Sequence, residues 1–223
     1  MADSLIFDSI KSYNDFNNHT TYHPLVSVLD FSKAKPWHGH RMTFGIYTII
    51  LKEIQCGDLA YGKHTYDYQE GTLVFLGPGQ VVDVTNKTEE YQPLGRGLTF
   101  HPDLVAGTAL AQRLDDYGFF SYHLNEALHL SAAEQETILD CLDKIQHELQ
   151  RPIDKHSKKL IISNITLFLD YCERFYDRQF ITREHVNSGI LTRFEGLLNS
   201  YFSSEKPHTI GLPSVGYFAD ELH

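Results

Sequence analysis

His38-Gly39-His40 sets two imidazoles on the same side of an extended segment, an arrangement able to grip a transition metal, and His64 supplies a third imidazole. Glu53, Asp58 and Asp67 are the carboxylates that would complete such a ligand set, with His101 as a further imidazole. Metal-dependent β-barrel enzymes place two nearby histidines before a spaced glutamate and a later histidine, and that order is not reproduced. No metal is therefore assigned, and most of the 13 histidines read as surface or hydrogen-bonding residues. An organic ligand suits the residues better. Trp37, Phe44, Tyr47, Tyr61, Tyr66, Tyr68, Phe75 and Phe100 can line an enclosed interior, their ring faces covering apolar or sugar surface and their hydroxyls fixing orientation. With His38, His40 and His64 they make the candidate ligand-binding set, to which Arg41 or Arg96 would add a carboxylate clamp. The same aromatics are also what a β core is filled with.

Catalytic signatures are absent from the sequence. It contains no glycine-rich phosphate loop, no G-x-S-x-G elbow, no H-E-x-x-H and no pair of CxxC elements. Ser32 and Cys172 have no base evident in sequence. The expectation is a protein that is not an enzyme, with no catalytic residue and no cofactor.

Two kinds of element must position these groups. From Tyr22 to His101, short apolar or aromatic runs are separated by Gly, Pro, Asn and Asp, as in an antiparallel sandwich or small barrel. Strands are expected over 25–29, 41–51, 58–61, 64–68, 72–76, 81–84 and 94–100. Turns are expected at Tyr61-Gly62-Lys63, Gln69-Glu70-Gly71 and Gly77-Pro78-Gly79. After Pro102 the pattern becomes helical. A short helix is expected over 103–114, and Ser131-Ala132-Ala133-Glu134 is a capping box opening a helix whose stripe is Ile138, Leu142, Ile145 and Leu149. The next helix runs over about 155–176 with Leu160, Ile161, Leu167, Phe168, Tyr171 and Phe175 along one face. Asp177-Arg178-Gln179 reads as a turn, and Thr182 opens a further helix continuing through Tyr201 to Phe202. One of the two earlier stripes must cover the sheet, and the other is available to pair two copies.

The domain reading is accordingly 1–101 as a β unit, 102–202 as a helical region, 203–211 as a linker, and 212–223 as the start of another helix. In that last helix Val215, Phe218, Ala219 and Leu222 share a face. The fold class is α+β.

Charge narrows the partners. Of 223 residues, 19 are basic and 29 acidic, a formal net charge of -10. Through His101 there are 8 basic and 11 acidic residues, and beyond it 11 and 18, so neither half is a basic module for nucleic acid. At 42% hydrophobic residues the chain can fill a core. No run is long and apolar enough to cross a bilayer, the first residues lack signal-peptide character, and the three cysteines form no cluster. These features suit a cytoplasmic protein that does not enter a membrane.

Several uncommon strings occur together: Asp30-Phe31-Ser32-Lys33-Ala34-Lys35-Pro36, Phe44-Gly45-Ile46-Tyr47, Cys56-Gly57-Asp58-Leu59, Tyr66-Asp67-Tyr68-Gln69-Glu70-Gly71 and Pro78-Gly79-Gln80-Val81. Phe100-His101-Pro102-Asp103-Leu104, Asn125-Glu126-Ala127-Leu128-His129-Leu130-Ser131 and Arg174-Phe175-Tyr176-Asp177-Arg178-Gln179-Phe180 continue the series. In this order they resemble the sensor portion of AraC-type transcriptional regulators of Bacteroidetes. The resemblance implies a cupin-like amino-terminal β-barrel that senses an unknown small-molecule effector. It also implies a homodimer formed through helices, Leu160 to Phe175 being the candidate stripe. Operator DNA would be read by a carboxy-terminal helix-turn-helix domain, whose first helix residues 212–223 resemble and whose remaining helices the chain lacks.

Overall fold

Gly45 and Ile46 divide the apolar run from Arg41 to Leu51, expected as one strand, into two strands that belong to different sheets. The backbone has little room there. A Cβ on Gly45 would lie 3.1 Å from Asp8 Cα, and the Gly45 N–H donates to the Phe7 carbonyl at 2.7 Å. The computed structural model describes residues 4–36, 41–52, 59–61, 64–65, 71–84, 92–114, 116–120, 127–202, 204, 206, 211–213, 217–218 and 221. Side chains are described for all of these except 4, 59–61, 64–65, 84, 181–192, 195–196 and 199.

The chain is a mixed α+β structure with two five-stranded sheets. The first has the order β1-β3-β8-β5-β6, where β1 is Ser4–Phe7, β3 is Arg41–Phe44, β5 is Leu59–Tyr61, β6 is His64–Thr65 and β8 is Val81–Val84. β1 runs parallel to β3, and the other pairings are antiparallel. The second sheet is antiparallel throughout, with β2 (Val26–Asp30), β4 (Tyr47–Lys52), β7 (Thr72–Leu76), β9 (Gly95–Phe100) and β10 (Leu128–His129) in the order β10-β7-β4-β9-β2. Among the described residues no strand of one sheet pairs with a strand of the other.

β7 and β8 keep the bounds expected from sequence. Gly71 and Gly79 take φ of 79° and 85°, the left-handed turn conformation that favours glycine. The pattern predicts no element before Tyr22, yet the first residues supply β1 and a capped helix, α1 (Ile10–Phe16). The segment expected as one helix over 103–114 is two short ones, α2 (Pro102–Val105) and α3 (Ala109–Leu114). Gly107 at φ 74° separates them, a value no α-helix accommodates. α4 (Ala132–Leu149) starts at the expected box, where the Ser131 N–H donates to Glu134 Oε2 at 2.8 Å.

The largest departure is α5, a single helix of 46 residues from Ser157 to Phe202. The turn expected at Asp177-Arg178-Gln179 and the helix start at Thr182 do not exist. No glycine or proline occurs between Ser157 and Ser188, so the charged residues there have no breaker to act with and continue the helix. α5 begins where Asp154 Oδ1 accepts the His156 N–H at 2.7 Å and the Ser157 N–H at 3.0 Å. Those bonds hold the Asp154 carboxyl below its ordinary range.

The chain divides into two compact units, Met1–Phe175 and Tyr176–His223. In the first, Phe7, Ile10, Tyr13, Met42, Phe44 and Val82 pack against Leu29, Val74 and Leu76 of the second sheet, so a hydrophobic core lies between the sheets. In the second unit Phe218 is buried, with ring contacts to Phe194 at 5.0 Å and Tyr201 at 6.3 Å, and the Tyr201 hydroxyl donates to the Gly211 carbonyl at 2.9 Å.

Ahead of β2, His23 Nδ1 accepts the Leu25 N–H at 3.1 Å and must be unprotonated to do so. Burial pushes its pKa down. The unfolded chain then binds more protons below the ordinary histidine pKa of about 6.5, so this stability is present above that pH and is lost as pH falls through the lower folded value. Denaturant midpoints should decline on acidification from pH 6.5, and His23→Asn, which keeps an acceptor and cannot protonate, should flatten that decline. An identical pH profile in the variant would exclude this role.

Candidate functional site

The candidate site is the inner face of the second sheet. Strand registers align three rows of side chains on that face. Leu76, Thr48, Thr99 and Ser27 form the first, Val74, Ile50, Gly97 and Leu29 the second, and His129, Thr72, Lys52 and Gly95 the third. The middle row is apolar and joins the inter-sheet core. The rows on either side of it are polar. Thr48, Thr72 and Thr99 are completely buried, Ser27 nearly so, and Lys52 is 5% exposed. Thr48 and Thr99 hydroxyls lie 3.2 Å apart, Thr99 Oγ1 donates to the Tyr47 carbonyl at 3.0 Å, and Thr72 Oγ1 lies 3.2 Å from His129 Nδ1.

A core needs no such groups. A buried ammonium is costly unless a negative or strongly polar group answers it, and buried hydroxyls demand partners. The face thus sets an ammonium and hydroxyls beside the apolar row, groups of the kind that bind an anionic or polyhydroxylated molecule. Lys52 is inconspicuous in the sequence because it ends an apolar run. The available signal was the alternation in β4, where Tyr47, Ile49 and Leu51 are uniformly apolar and Thr48, Ile50 and Lys52 are not.

The aromatic candidates do not converge on one pocket. Phe44 lies in the inter-sheet core, with ring centroids 5.6 Å from Phe7 and 5.8 Å from Tyr13. Tyr47 and Phe75 lie on the opposite face of the second sheet. Tyr47 stacks on Phe100 at 4.9 Å, and Phe75 meets Phe119 at 4.4 Å and Phe120 at 5.7 Å. Arg41 is exposed at the start of β3. Arg96 already clamps a carboxylate of the chain itself. Its guanidinium pairs with Asp143 and donates to Gln146 Oε1 at 2.8 Å, tying β9 to α4.

Tyr61 and His64 are register partners in the antiparallel pairing of β5 with β6, and their side chains are outside the described set. Trp37, His38, His40, Tyr66 and Tyr68, with Glu53, Asp58, Asp67 and the turn residues 62–63 and 69–70, lie outside the described residues. Among the described residues no group of three or more His, Cys, Asp or Glu side chains could hold a metal ion. His101 instead accepts the Asp103 N–H at 3.1 Å as the cap of α2.

The two helical stripes have different environments. Ile138, Leu142, Ile145 and Leu149 of α4 are all buried, and α4 packs on β2. On α5 the stripe divides. Ile161, Phe168 and Phe175 are buried, Tyr171 is half-buried with its ring stacked 6.0 Å from Phe175, and Leu160 and Leu167 are 46% and 41% exposed.

Cys141 of α4 and Cys172 of α5 are both buried, and burial pushes both thiols above their ordinary range. Iodoacetamide at pH 8 should leave both unmodified in the native chain and alkylate both in denaturant, read by peptide mapping. Native labelling of either would contradict this packing.

No helix among the described residues is long and apolar enough to cross a membrane. Comparison of the chain with models of known protein families and with curated proteins returns no match.

Proposed function

We propose that the chain is the ligand-sensing and dimerising portion of an AraC-type transcriptional regulator. In this reading the two sheets are the cupin-like unit of that family, and a small molecule between them biases a carboxy-terminal helix-turn-helix domain that reads operator DNA. The observation that carries it is the polar inner face of the second sheet, where Lys52 and three threonines are buried beside an apolar row. The exposed pair Leu160 and Leu167 supports a second copy as partner, because both stand on the open side of a helix whose other face is buried. The uncommon strings of the sequence supply the family. No catalytic step is assigned to any residue.

Native mass spectrometry of the purified chain, set against the denatured mass, tests this directly. The expected result is a dimer without metal that carries an added organic mass, whose identity names the effector class. A monomer holding one stoichiometric transition metal would overturn the proposal and redirect attention to His38, His40 and His64.

A further inference from the structure

Residues 151–159, which join α4 to α5, invert the charge of the chain. They hold four of its 19 basic residues and one of its 29 acidic ones, so the junction carries +3 while the remainder sums to -13. Every residue of it except Ser157 is exposed, and Ile153 is 67% exposed. Among the described residues no carboxylate pairs with Arg151, Lys155, Lys158 or Lys159, whereas Arg96, Arg113 and Lys144 each have one. The single acid of the junction is engaged, Asp154 accepting the His156 and Ser157 N–H groups. The first turn of α5 contains no acidic residue, and Lys158 and Lys159 stand there, where the helix dipole disfavours a cation. These lysines support neither the helix that carries them nor an ion pair, which leaves their charge to a partner.

The same surface limits what that partner can be. A discrete anion on the helix N-terminus would meet the Asp154 carboxylate, which already takes the N–H groups such an ion needs. A DNA backbone answers the cations but offers nothing apolar to Ile153. An anionic bilayer could answer both, yet so wide a surface is repelled by the rest of the chain. A short segment meets only the charges within a screening length, about 8 Å at physiological salt.

We propose that the α4–α5 junction is a docking surface for an acidic segment of a partner protein, whose carboxylates pair with Arg151, Lys155, Lys158 and Lys159 while an apolar side chain covers Ile153. Arg151 and Lys155 flank Ile153 in sequence, so an apolar residue between carboxylates is the complementary pattern. The charges speed encounter and select the partner, and burial of Ile153 adds the contact that a purely ionic match lacks. Leu160 follows Lys159 but belongs to the stripe assigned to a second copy. The docking surface does not depend on the regulator reading.

The test uses the full chain at neutral pH and fluorescein-labelled nonapeptides of glutamate with one leucine placed at each position in turn, read by anisotropy. At least one peptide should bind saturably, and raising the ionic strength from about 0.01 to 0.1 M should weaken it at least about ten-fold as the screening length falls from about 30 to 10 Å. Replacing Lys155, Lys158 and Lys159 together by glutamine removes the net charge of the junction and should weaken binding at least about ten-fold. Ile153→Ser should weaken the leucine-bearing peptide about five-fold and leave an all-glutamate peptide unchanged. Lys11→Gln, at an exposed lysine of α1, should change neither. All these positions are exposed, so the unfolding midpoints should hold. The proposal fails if no peptide saturates at millimolar concentration, if the triple variant or Ile153→Ser binds as the parent does, or if a short DNA duplex or vesicles of phosphatidylcholine and phosphatidylserine in equal parts bind more tightly than every peptide. It fails equally if the triple variant sediments differently from the parent, which would assign the junction to contact with a second copy.

Discussion

Gly97→Val should lower the unfolding free energy by about 2–3 kcal/mol, the upper part of the range for forcing extra volume into a packed core. A Cβ at this position would lie 2.9 Å from both Cε2 and Cζ of Phe31 and 3.2 Å from the Ile49 carbonyl oxygen. The Phe31 ring is itself buried at the margin of the inter-sheet core, and Ile49 is fixed in the central strand of its sheet, so neither neighbour yields cheaply. The signature is a lower denaturant midpoint with an unchanged slope. Phe31→Leu should cost less in the Gly97→Val background than alone, because the smaller side chain vacates the contested space, and a double-mutant cycle reads that coupling. An unaltered midpoint in Gly97→Val would mean that the ring does not rest on this glycine.

Gly97 also shows what the sequence could convey. Its strand was legible from a run ending in Leu98, Thr99 and Phe100, but the ring that requires a glycine belongs to Phe31, and only the pairing of Leu29 with Gly97 brings that segment alongside. Local patterns carried local elements. Thr72–Leu76 was readable because glycines bracket an apolar run, and α4 because Ser131 and Glu134 announce it. Arg41–Leu51 was misread because no polar residue marks the change of sheet, which depends on how closely Asp8 approaches Gly45. The charges at Asp177-Arg178-Gln179 suggest a break that α5 does not have, because three charged or polar residues without glycine or proline do not end a helix. For the site, aromatic composition pointed toward Phe44 and Phe75 alike, while the registers assign them to opposite faces. Lys52 carried the stronger message, visible only by comparing alternate residues of one strand.

Leu160→Glu together with Leu167→Glu should turn the proposed dimer into a monomer at micromolar concentration while moving the unfolding free energy by less than about 0.5 kcal/mol, as exposed substitutions usually do. Seven residues separate the two positions, two helical turns, so both project from one side of α5 and a two-fold contact would bury both at once. Two glutamates there would face their own copies across the axis, adding like-charge repulsion to the lost apolar burial. Ile161 and Phe168 are the controls, next in sequence to each leucine yet 1% and 0% exposed. Phe168→Ala should cost about 3–5 kcal/mol through the cavity it leaves, and should lose the folded chain rather than separate two folded copies. Sedimentation velocity reads the first effect and denaturant unfolding the second. Should the double variant sediment as the parent does, the helix face of Leu160 and Leu167 is not where two copies meet, and the dimerising role assigned to this stripe falls with it.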